Sequence, residues 1–146
     1  MSRAEVISAV GADQVKSGRN KQTLYDLQTL SAYYQPDDDA VVFIEASHRD
    51  LVIYDGIDLF DEDAAAEAVI AEVARSAGLD PAAYPPDWST YLFECLQLVL
   101  WRGSVPYEGQ DDDDITGRTF ESVSMYALGY YSDDRLRSMR SGSLVG

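Results

Sequence analysis

One cysteine, one histidine and two lysines are all that the 146 residues hold of these three types. A single cysteine excludes an internal disulfide, and one cysteine with one histidine excludes zinc sites of the usual spacing. Glycine-rich phosphate loops, nucleophile elbows and dinucleotide fingerprints are also missing, which counts against the common enzyme classes. No run approaches the eighteen or so apolar residues that span a bilayer, and the opening Met1-Ser2-Arg3-Ala4-Glu5 has no apolar secretory core. A cytoplasmic protein is expected. Cys95 lies within an apolar run and is expected to be a buried, inert thiol.

Acid is what the chain has in excess. There are 26 Asp and Glu against 11 Lys and Arg, for a net charge of −15. The excess is concentrated, since residues 37–134 carry 23 acids against Arg49, Arg75, Arg102 and Arg118, a net of −19, while both flanks are mildly basic. Such a field repels nucleic acid and attracts cationic partners. Hydrophobic content of 46% is that of a folded protein rather than a disordered one.

At this length one domain over 1–146 is expected, with 141–146 as a mobile tail. Leu24, Leu27, Leu30 and Tyr34 recur at helical steps between a capping Asn20 and Pro36, which predicts a helix; a shorter helix is expected over 3–10. The β-branched and aromatic runs Val41-Val42-Phe43-Ile44 and Leu51-Val52-Ile53-Tyr54 predict an antiparallel hairpin over about 40–54, ended by Asp55-Gly56. Asp61 or Asp63 is placed to cap a helix whose apolar residues Ala66, Val69, Ile70, Val73 and Ala77 share one face, with Gly78 as its left-handed stop. After the linker Pro81–Pro86, the run Tyr91 to Trp101 is apolar nearly all round and reads as a central core helix ending at Arg102-Gly103. Residues 119–131 fit either a helix or a strand, Thr119 as a cap favouring the helix. The fold class is α+β: a single compact domain with a small antiparallel sheet packed by two to four helices.

No residue set points to catalysis, and no cofactor is expected. His48, beside Arg49 and Asp50, falls in a predicted turn where polar residues belong. Asp112, Asp114, Thr116 and Gly117 match the first, third, fifth and sixth positions of a calcium loop, but position twelve is Val123 where a bidentate Glu is needed. The segment from Tyr54 to Asp63 interleaves Ile57, Leu59 and Phe60 with Asp55, Asp58, Asp61, Glu62 and Asp63. It reads either as an interface, with Phe60 as anchor and the acids steering a basic partner, or as a core plug with its acids facing water. The leading expectation is an intracellular acidic protein that inhibits or holds a basic protein partner, as mimics of nucleic-acid phosphate do, without touching nucleic acid or membrane itself. The alternatives are a halophile's housekeeping protein with a solvent-adapted surface, and a carboxylate-based metal-binding protein.

Overall fold

Pairing in this chain is organised around two strands far apart in sequence, Val41–Ser47 (β4) and Ser122–Tyr126 (β9), which run antiparallel with Glu45 opposite Ser124 and Ala46 opposite Val123. The computed structural model describes residues 2–10, 15–17, 22–25, 30–47 and 52–142. On one side of β4 a meander is completed by Val15–Ser17 (β1), Gln22–Tyr25 (β2) and Leu30–Tyr34 (β3); on the other side of β9 lie Leu98–Trp101 (β8) and then Thr90–Phe93 (β7). The sheet order is β1-β2-β3-β4-β9-β8-β7, and every pair is antiparallel. Ile53–Tyr54 (β5) and Ile57–Asp58 (β6) make a separate ribbon. Helices Arg3–Val10 (α1), Ala66–Ser76 (α2) and Asp133–Arg140 (α3) complete an α+β domain. No described helix is long and apolar enough to cross a membrane.

The amphipathic helix is as the spacing predicts. Ala66, Val69, Ile70 and Val73 are buried, together with Ala74, against Tyr91, Phe93, Leu98 and Leu100 of the sheet. Gly78 takes φ +75°, its N–H donates to Arg75, and the Leu79 N–H donates to Ala74, which closes the helix with a left-handed stop. Its start differs from the expectation. The first residue is Ala66, whose N–H donates to the Arg118 carbonyl, while Asp61 Oδ1 accepts from Asp63 and Ala64 and so shapes the turn before the helix. The short N-terminal helix is present, closed by a reciprocal pair in which Ser2 Oγ accepts from the Glu5 N–H and Glu5 Oε2 accepts from the Ser2 N–H.

Three expectations are corrected, and one left open is decided. Where the spacing predicts a helix between Asn20 and Pro36, the described residues form the antiparallel β2–β3 pair, with Leu24 opposite Ser31 and Tyr25 opposite Leu30, while Asn20 and Leu27 lie outside the described residues. The predicted 40–54 hairpin does not form: β4 pairs with β3 and β9, and Asp55-Gly56, at φ +47° and +78°, is itself the two-residue turn between β5 and β6. Tyr91–Trp101 is not a helix but β7 and β8, joined by a short 3-10 turn at Glu94–Leu96 and by Gln97 in the left-handed region. Strands buried on both faces carry continuous apolar runs, which periodicity alone does not separate from a buried helix. Of the two readings left open for 119–131, residues 122–126 take the strand that Thr119 as a cap disfavours, with the unforeseen α3 following them.

Arg102, expected only as a helix end, is among the largest fully buried side chains. Its Nε donates to the Trp88 carbonyl (3.0 Å), Nη1 to Gly117 (2.9 Å) and Nη2 to Pro86, with Glu67 Oε1 3.6 Å from Nη1. One guanidinium thus ties the 86–89 linker, α2 and the 103–121 loop together; a buried charge is tolerated where its donors are met in this way. The end of α3 is fixed by contact. Gly142 is buried at φ +75° on the Trp88 indole, where an added Cβ would lie 2.1 Å from the ring, so Gly142 is part of the packed structure, and 143–146, the rest of the expected mobile tail, lies outside the described residues.

Candidate partner-binding face

The residues first marked for partner binding divide into two groups. Leu59 and Phe60 are 1% and 5% exposed and pack against α2, which makes Phe60 a core residue and corrects its reading as an exposed anchor. Asp58 Oδ1 accepts from the Phe60 N–H at 3.0 Å, Asp61 shapes the turn described above, and Asp55 accepts from the Ser76 hydroxyl. Those three carboxylates hold the local chain. Glu62 and Asp63 are exposed, and the fold sets them beside Glu67, Pro106 and Arg118 around a cleft of about 360 Å³.

Arg118 connects this corner to a second acidic segment some fifty residues away in sequence. Its Nη2 donates to the main-chain carbonyl of Asp111 (2.9 Å) and its Nη1 to that of Asp112 (3.4 Å). The guanidinium therefore fastens the loop through its backbone, and the side chains of Asp111, Asp112 and Asp113 stay exposed. Gln110 does the same from inside the loop: its Oε1 accepts from the Tyr107 N–H, and its Nε2 donates to the Asp114 and Thr116 carbonyls at 2.8 and 3.0 Å. Gly117 seals the loop's base. At φ +74° it lies so close to Ser104 that an added Cβ would be 2.3 Å from that carbonyl oxygen. Two apolar side chains stand out from this frame, Tyr107 at 66% and Ile115 at 67% exposure, with Glu108 and the aspartates around them. A fixed loop that presents apolar groups within a ring of like charge has the composition of an anchor with a steering rim.

The loop also accounts for the calcium-like fragment. Asp114 Oδ1 accepts from the Thr116 N–H at 3.0 Å, and the Thr116 hydroxyl and N–H hold the Asp114 carboxyl below its ordinary range. Gly117 serves the approach to Ser104, Val123 is buried in β9, and Glu121 Oε2 accepts from the Gly103 N–H. Among the described residues no group of three or more His, Cys, Asp and Glu is arranged to hold a metal ion. The Asp112 carbonyl, Asp114 and Thr116 all take part in the loop's own hydrogen bonding. Cys95, expected to be buried, is exposed, because the run around it is a strand-to-strand turn and not a helix core. His48 lies outside the described residues.

The 107–115 segment was readable in principle. Tyr107 and Ile115 flank Glu108 and Asp111–Asp114 much as Ile57 and Phe60 sit among acids in the earlier segment; the signal that separates the two is Gly117 with Gln110 and Arg118, a loop carrying its own fastenings. Comparison with known protein families, with curated proteins and with solved structures returned no match.

Proposed function

We propose that the chain is a cytoplasmic binding protein that holds or inhibits a basic protein partner, docking through the 106–118 loop and the adjoining Glu62 and Asp63. The observation that carries this reading is the fastening of Asp111 and Asp112 through their carbonyls, which leaves their carboxylates outward beside exposed Tyr107 and Ile115. A lysine- and arginine-lined groove that ordinarily takes nucleic-acid phosphates is the matching surface, because carboxylates replace phosphate charge while the apolar side chains fill its floor. Charge raises the encounter rate, and Tyr107 slows departure.

The test is capture of the partner from the native host by full-length protein, followed by association kinetics with the captured protein. Replacing Asp111, Asp112 and Asp113 by Asn is expected to slow association and flatten its salt dependence, Tyr107→Ala to hasten dissociation, and DNA or RNA to compete with the chain for the partner. The control of equal charge change is Asp37, Asp38 and Asp87 to Asn, all exposed and in other loops. If the control weakens capture as much as the loop variant does, the localised face is wrong; if the chain folds only in molar KCl, its acidity is solvent adaptation.

A further inference from the structure

Along β4, β9 and β8 the residues that alternate with the buried core face a second groove, on the side of the sheet opposite α2. Strand register sets its floor in two rows: Glu45, Ser124 and Val99 in one, and Ser47, Ser122 and Trp101 in the next. Short serines stand where a covered sheet carries branched apolar side chains, and the space above them is about 540 Å³, within the ~300–1,000 Å³ of ligand pockets. Helix α3 covers this side only over Phe43, Leu92, Val99 and Tyr126, through Met139. The remaining wall is Tyr130, Tyr131 and Arg135.

We infer that this groove receives the side chain of a lysine or arginine from the basic partner, its cation meeting Glu45 and its methylenes lying on Trp101 and Tyr130. This rests on the reading of a basic partner and adds a specific contact to it. Ser124 Oγ donates to Glu45 Oε2 at 3.4 Å, which orients the carboxylate within the floor. The Glu45 charge is felt at the wall: burial, then Tyr33 and Glu45, push the Tyr130 phenol up, and burial, then Tyr130 and to a lesser degree Glu45, push up that of Tyr131, with Arg135 opposing at both. Aromatic faces attract an ammonium or guanidinium, Trp most strongly, and a carboxylate among them selects cation over neutral side chain. Arg135 shares the tyrosine wall and opposes such a ligand; Glu45 and Glu121 outnumber it.

The experiment titrates the full chain with three blocked amino acids, the N-acetyl N-methylamides of lysine, arginine and norleucine, following amide NMR shifts. The two cations are expected to bind saturably at about millimolar Kd, with shifts centred on Glu45, Trp101, Ser122 and Ser124, and norleucine at least tenfold more weakly. Glu45→Gln should weaken the cations about tenfold, and Arg135→Gln should tighten them. Ser122→Tyr, which fills the floor, should abolish binding, and an unchanged amide pattern elsewhere shows that each variant is folded. Norleucine binding as well as lysine, Arg135→Gln weakening as Glu45→Gln does, or shifts confined to the 106–118 loop would each overturn the assignment. The loop variants of the preceding section report separately. If they abolish partner capture while the blocked cations ignore the groove, only this inference fails; if the groove binds cations while capture is indifferent to the loop, the loop reading fails.

Discussion

Side chains alternate along β4, β8 and β9 between two environments built from the same three strands. Ala46, Leu98, Leu100 and Val123 face α2 and are buried with Leu59, Phe60 and Phe120. Glu45, Ser47, Trp101 and Ser122 face the other way into an open groove. An amphipathic helix spans the first side, whereas α3, eight residues long, covers the second around Val99 and leaves Ser47, Ser122 and Trp101 beside an open groove. A helix can bury only what lies beneath it. The difference teaches that the two sides of the sheet are unequally packed: the larger core lies between sheet and α2, a smaller one gathers Phe43, Leu92, Val99 and Tyr126 around Met139, and the rows beyond that smaller cover are free to carry charge. The acidic segments divide in a parallel way, the carboxylates of Asp55, Asp58 and Asp61 being used by the chain itself while Asp111 and Asp112 are bonded through their carbonyls and keep their side chains exposed.

The comparison breaks most readily at Val73, fully buried on the α2 side. Val73→Asp places an unpaired charge in the core and is expected to cost about 4 kcal/mol in chemical denaturation; a loss below about 1 kcal/mol would mean that α2 is not the cover. Phe60→Ala comes next, at about 3 kcal/mol from lost burial and cavity. Its partner association under folding conditions should match that of wild type, and a faster dissociation with undiminished stability would return Phe60 to the interface.

A smaller effect sharpens the open side. Burial, with a contribution from the neighbouring Tyr130, pushes the Tyr131 phenol up to about 12. Because the folded value lies above the unfolded one of about 10, the stabilisation is complete below pH ~10 and is lost as pH rises through the folded value. Alkaline absorbance titration is expected to show a phenolate step near 12 that Tyr131→Phe removes. Persistence of the step in the variant would assign it to another tyrosine, and a wild-type protein with every step near ~10 would place Tyr131 in water. The least effect is expected from Glu45→Gln and Ser124→Ala, each within about 0.5–1 kcal/mol of wild type by denaturation, since their bond is long and their groove open. A loss above about 2 kcal/mol in either would mean that the core under α3 extends across the groove floor.

The sequence by itself determined what depends on neighbours along the chain. The α2 stripe, its Gly78 stop and the short N-terminal helix follow from residues within one or two turns of each other, and the acidic field from composition alone. Tertiary structure decided what depends on which surface is covered. Tyr91–Trp101 became two paired strands, β8 and the edge strand β7, whose faces are both occupied, by α2 and by Met139 of α3, and that double cover erases the period of two that would have marked them as strands. The same loss of context put Cys95 in the core, where the fold exposes it, and left Phe60 open between anchor and core plug, which the fold decides for the core. Arg102 looked like a helix end, and only the convergence of the 86–89 linker, α2 and Gly117 around it made a charged side chain part of the interior. Nor could the run of four aspartates reveal that Arg118 would grip its carbonyls and leave the carboxylates outward, because main-chain acceptors are identical at every position and geometry alone selects among them.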